Sequence, residues 1–102
     1  MRLGIDKSGG SADISDIIVG TVSMDPPNIL AGSMADVTAT FTGVDVASTW
    51  MVFVSAQTDM TTNLGIVSAR VSADDQIKVR FANPTLLAIN QGPVTLAVLA
   101  IK

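Results

Sequence analysis

The 102-residue chain contains no histidine, no cysteine, no tyrosine and no glutamate, so each of its nine acidic residues is an aspartate. Each absence excludes a branch of chemistry. Without cysteine there is no disulfide framework and no thiol nucleophile, and stability has to come from packing or assembly. Without histidine or cysteine the usual transition-metal ligands are missing. A serine or threonine nucleophile would have no histidine to activate it, and neither a Gly-x-Ser-x-Gly elbow nor a Ser-x-x-Lys motif is present. An acid set made only of aspartate also points away from helices. The short Asp carboxylate bonds nearby backbone amides in turns and caps, whereas Glu supports helix interiors.

Charge is scarce as well. Six basic residues against nine acidic ones give a net charge of −3. Arg2, Lys7, Arg70, Lys78, Arg80 and Lys102 form no run, which removes the electrostatic footing for nucleic-acid binding. Leu96 to Ile101, the longest uninterrupted apolar stretch, is far short of the roughly 20 residues of a spanning helix. Met1 to Asp16 carries Asp6, Asp13 and Asp16 where a signal peptide would have an apolar core, so neither a membrane partner nor export by that route is expected. Against this scarcity stand 48% apolar residues and a mean hydropathy of +0.50. Part of that apolar surface is expected to meet a partner.

The length suits one domain with one core, and the local patterns divide it into a flexible arm, 1–16, and a β-sandwich, 17–102. In the arm, Lys7-Ser8-Gly9-Gly10-Ser11 is polar and aperiodic. Ile17 to Ser23 is β-branched and apolar, and Asp25-Pro26-Pro27-Asn28 ends it because proline cannot donate to a ladder. Ala35 to Thr42 alternates strictly, with Val37, Ala39 and Phe41 on one face and Thr38, Thr40 and Thr42 on the other. Trp50 to Val54 is a short apolar run of the kind buried on both faces in mid-sheet. Ile66 to Ser72 and Gln76 to Ala82 form a hairpin through Ala73-Asp74-Asp75, with Ile77, Val79 and Phe81 inward. Val94 to Ile101 is a last strand that would aggregate on an exposed edge and should lie centrally or be covered by a neighbouring subunit. About six or seven short strands predict a small antiparallel β-sandwich, Ig-like or jelly-roll-like, because a single sheet would leave an apolar face in water.

Candidate sites follow from the same patterns. Asp74 and Asp75 are the most conspicuous carboxylate pair, and a hairpin turn accounts for them. Calcium would need an Asp-x-Asp-x-Asp-Gly loop, which is absent, so no metal or other cofactor is expected. Trp50, the only tryptophan, is either a core residue or an interface anchor. The methionines Met24, Met34, Met51 and Met60 either fill core gaps or adapt to a partner. Arg2 and Lys7 of the arm, with Trp50 and Met51, are the candidate partner contacts.

Two longer stretches carry a resemblance. Val22-Ser23-Met24-Asp25-Pro26-Pro27-Asn28-Ile29 with Ala31-Gly32-Ser33, and Val71 to Arg80 followed by Ala82-Asn83-Pro84-Thr85, resemble segments of small virion proteins of tailed bacteriophages. The likeness spans Val22 to Ile101, about four-fifths of the chain. It departs at Ala47-Ser48-Thr49-Trp50, where related sequences often have Gly-Asp. The resemblance implies a non-enzymatic capsid decoration or cement protein at the virion surface, bound to the major capsid protein and assembled as a homo-oligomer, with a trimer favoured. Another virion part, such as a vertex knob, fibre base or tail protein, stays open, as does a carbohydrate-binding, adhesin-like module. With Trp50, Phe41, Phe53 and Phe81 as its only aromatics, the chain is poorly stocked for stacking on sugars.

Overall fold

A computed structural model describes residues 3–7, 10–61 and 63–102. Every regular element among them is a β-strand: β1 (Leu3–Lys7), β2 (Gly10–Ile14), β3 (Ile17–Met24), β4 (Met34–Thr40), β5 (Met51–Ala56), β6 (Gly65–Ala73), β7 (Gln76–Ala82) and β8 (Val94–Ile101). The last six make two antiparallel three-stranded sheets, β3–β8–β5 and β4–β7–β6, packed as a small β-sandwich. The chain changes sheet at every connection of the sandwich except the β6–β7 turn. The hazardous last strand, β8, is the middle strand of its sheet, so its backbone groups are paired on both sides.

The core follows the period-2 alternation of the two middle strands. Ile77, Val79 and Phe81 of β7 face Val94, Leu96, Val98 and Ala100 of β8, and all seven are buried. The edge strands contribute smaller or partly buried residues such as Val22, Ala35, Val37, Val54 and Ala69. Phe41 lies over Gly20, whose missing side chain leaves it room: a Cβ there would sit 3.1 Å from the ring. Gly43 is tighter still. Its φ of 108° is one that other residues rarely adopt, and a Cβ would meet Cδ1 of Ile18 at 2.7 Å. Gly43→Ala is therefore expected to cost about 2 kcal/mol, read as a lower urea midpoint.

One expectation needs correction. β5 is an edge strand of the β3–β8–β5 sheet, not a strand buried on both faces. Val52 and Val54 pack inward while Met51 and Phe53 are exposed. Within the N-terminal segment β1 and β2 pair as an antiparallel hairpin, with Leu3 opposite Ile14 and Lys7 opposite Gly10. The hairpin pairs with no strand of the sandwich. Only Ser15 and Asp16 separate it from β3, and both are tied to Lys102. Their backbone N–H groups donate to the Lys102 carbonyl at 2.8 and 3.2 Å, and the Lys102 N–H donates to the Asp16 carbonyl at 3.1 Å.

Candidate interaction surfaces

The two sheets differ in charge. β3, β5 and β8 contain no charged residue, whereas β4, β6 and β7 carry Asp36, Arg70, Lys78 and Arg80. On the outer face of the second sheet Arg80 grips Asp36 in a two-pronged ion pair, Nε to Oδ1 at 2.8 Å and an Nη to Oδ2 at 3.2 Å. That hydrogen bond to Arg80 holds the Asp36 carboxyl below the ordinary carboxylate range. This is a solvated face of the usual kind.

The outer face of β3–β8–β5 is unusual. Residues directly opposite one another on antiparallel strands stand side by side on the same face, so the register builds cross-strand rows. Ile17, Ile101 and Met51 form one row, and Val19, Leu99 and Phe53 the next. Thr21, Ala97 and Ser55 follow, then Ser23 and Thr95. The face therefore grades from wholly apolar beside the β1–β2 hairpin to hydroxylated at the far end. Val19 is 73% exposed, and Met51 and Phe53 are 55% exposed. At ordinary strand spacings the two apolar rows cover on the order of 200 Å².

A second apolar surface lies at the far end of the sandwich. Leu30, Leu86 and Leu87 are 63, 93 and 77% exposed, on turns braced by one buried side chain. The Asn83 amide Nδ2 donates to the carbonyls of Ile29 at 2.9 Å and Leu87 at 2.8 Å. Its Oδ1 accepts from the N–H and Oγ1 of Thr85 at 3.0 and 2.6 Å, and its own N–H donates to the Ser33 carbonyl at 2.9 Å. Ile29 and Ile89 add a two-way backbone bridge. The Asp25-Pro26-Pro27-Asn28 and Asn83-Pro84-Thr85 segments, distant in sequence, thus belong to one braced unit that presents leucines outward.

The conspicuous aspartates are occupied by backbone. Asp75 Oδ1 accepts from the Gly43 N–H at 2.8 Å and Asp74 Oδ1 from the Val46 N–H at 3.0 Å. The pair forms the turn expected of it and also pins the 43–46 loop, aided by the positive φ of 60° at Asp75. Among the described residues no three aspartates are arranged to hold a metal ion.

Of the four candidate contacts, Arg2 lies outside the described residues. Lys7 ends β1, opposite Gly10. Met51 sits in the first apolar row. Trp50 is partly buried against the core. Its Nε1 donates to Asp45 Oδ1 at 2.7 Å, and the Lys102 ammonium lies 5.0 Å over its ring. Ser48 Oγ donates to Asp45 Oδ2 at 3.0 Å. Trp50 is therefore a brace that helps fix Lys102, which in turn holds the root of the hairpin. Bonds from Trp50 and then Ser48 hold the Asp45 carboxyl below its ordinary range, with Lys102 adding to the effect.

Asp36 and Asp45 both have folded-state pKa values below the ordinary 3.8. Their ionised forms stabilise the fold above that pH, and the contribution is lost as pH falls toward the depressed values. Urea midpoints followed by Trp50 fluorescence should therefore fall as the pH drops below the ordinary carboxylate value of 3.8, and Asp45→Asn should make that fall shallower.

Sequence reasoning missed Ile17, Val19, Phe53, Leu99 and Ile101 as surface residues, and Leu30, Leu86 and Leu87 altogether. Compared with known proteins, the chain matches no family model, no curated protein and no solved structure.

Proposed function

We propose that this chain is a non-enzymatic virion structural protein of the capsid decoration or cement type, binding the major capsid protein on the surface of an assembled phage shell. The observation that carries the reading is the pair of uncompensated apolar surfaces at opposite ends of one small domain: the rows beside the hairpin and the leucine turns braced by Asn83. A protein with two separate adhesive surfaces can bridge neighbours. One that binds only the assembled lattice stabilises that lattice by mass action. The resemblance to phage virion proteins agrees with this, because its two segments meet in the braced far end.

The leucine turns are the surface assigned to the shell. Their exposed side chains sit on backbone already fixed by Asn83, so little further ordering accompanies binding. The test is co-sedimentation of the purified protein with assembled shells of a virion that carries it, beside the same capsid protein unassembled. Retention by shells, lost in Leu86→Asp and Leu87→Asp variants that stay folded, is the expected result. Recovery in the tail fraction of disrupted virions, or no retention by shells, overturns the reading.

A further inference from the structure

Each sheet of the sandwich ends in two edge strands, and three of the four edges are guarded against pairing with another chain. β4 carries Asp36, β6 carries Arg70 and two shifts of register against β7, and β5 is the shortest strand of the sandwich. A charge, an irregularity or a short run each discourages the addition of a strand. β3 has none of these. It runs for eight residues, Ile17–Met24, without charge or proline, and it meets β8 in unbroken register.

The hydrogen bonds at the root of β3 fix which way its backbone groups point. Asp16 and Lys102 exchange N–H to carbonyl bonds at 3.2 and 3.1 Å, and in an antiparallel ladder such hydrogen-bonded pairs recur at every second residue. Ile18, Gly20, Val22 and Met24 therefore direct their N–H and C=O groups to β8, whereas Ile17, Val19, Thr21 and Ser23 direct theirs to the open edge. The other side of β8 agrees. The Gln57 N–H donates to the Thr95 carbonyl, which assigns the odd-numbered residues of β8 to β5 and leaves the even-numbered ones to β3. Among the described residues no strand takes up the edge-facing groups of β3, and the side chains of Val19, Thr21 and Ser23 are exposed.

We infer that two copies of this chain pair β3 with β3 about a two-fold axis at Gly20, joining their three-stranded sheets into one continuous sheet. In this register Ile17 of one copy stands opposite Ser23 of the other, and Val19 opposite Thr21. Every edge-facing N–H and C=O of both copies then has a partner. Moving the axis to Val19 would set Ser23 against Ser15, whose N–H is held by the Lys102 carbonyl. Moving it to Thr21 would set Ile17 against Asp25, beyond the end of the strand. No charge of one copy meets a charge of the other along the seam, and the contact is closed, as two-fold contacts are. This inference does not rest on what the assembly binds, and failure of shell binding leaves it standing.

Light scattering on the full chain should give twice 10.5 kDa. Thr21→Pro removes an N–H that the chain's own ladder does not use, and an edge strand tolerates proline at such a position. It should give the single-chain mass while circular dichroism and Trp50 fluorescence stay those of the folded chain. Ala56→Pro, which removes an edge-facing N–H of β5, should leave the dimer intact. Because the chain has no cysteine, Val19→Cys and Thr21→Cys variants can also be oxidised separately and mixed. Residues directly opposite are about 5.5 Å apart at Cα, within disulfide reach, while the diagonal Val19 to Val19 and Thr21 to Thr21 pairs are about 7–8 Å apart and outside it. Linked dimers are expected from the mixture and not from either variant alone. A natural chain of single or threefold mass, a dimer that survives Thr21→Pro or is lost in folded Ala56→Pro, or a mixture that links no better than its components, overturns the inference.

Discussion

Replacing Asn83 by alanine is expected to lower the stability of the fold by about 2–3 kcal/mol, a large share of the 5–15 kcal/mol typical of such domains. The side chain is fully buried. Its loss leaves the Thr85 N–H without its partner and takes one bond each from the carbonyls of Ile29 and Leu87, although Ile29 keeps the Ile89 N–H and Leu87 keeps the Thr85 hydroxyl. An unsatisfied buried group costs about 1–3 kcal/mol and each further lost bond about 1 kcal/mol or less, and the bonds that remain keep the total below the full sum. Asn83→Asp is expected to be no better, because it replaces a donor with a second acceptor facing the Ile29 and Leu87 carbonyls. Urea unfolding followed by Trp50 fluorescence gives the number. A loss under about 1 kcal/mol would mean that the turns stand without the amide. Because Leu30, Leu86 and Leu87 sit on the braced segments, the same variant should also weaken the proposed shell binding at temperatures where the sandwich remains folded.

The contrast between Asn83 and the strands shows what could be read from the residues. Gln76 to Ala82 was legible because apolar and polar residues alternate, and the structure buries Ile77, Val79 and Phe81 as that alternation requires. Asn83-Pro84 was legible only as a turn. The partners of the amide include Ile29, 54 residues earlier in the chain, and no local pattern announces such a contact.

The apolar rows were hidden for a different reason. In Met51 to Val54 and Leu96 to Ile101 every position is apolar, and an unbroken apolar strand looks the same whether both faces are inside the protein or one is outside waiting for a partner. The surplus apolar content implied exposed apolar surface, and Val19, Met51 and Phe53 are exposed, but periodicity could not say which residues supply it. The hairpin escaped notice because Lys7-Ser8-Gly9-Gly10-Ser11 reads as a flexible linker. Its two strands are only five residues each, too short for the Leu3 and Ile5 alternation to stand out.

Phe81 and Phe53 give a direct test of that distinction, since they are the same residue on opposite sides of the sandwich's division between core and surface. Phe81→Ala is expected to cost about 3–5 kcal/mol. Phe81 has no exposed surface, and its neighbours across the sheet are Ala35 and Ile66. Ala35 has no atoms beyond Cβ to move into the space, so the cavity on that side stays open and the cost should lie toward the upper end. Phe53→Ala should change the stability of the isolated subunit by less than about 1 kcal/mol, because the ring is already largely in water. Equal destabilisation by the two substitutions at low concentration would mean that the outer face of β3–β8–β5 is covered within one chain, and the division into a core and an adhesive face would have to be redrawn.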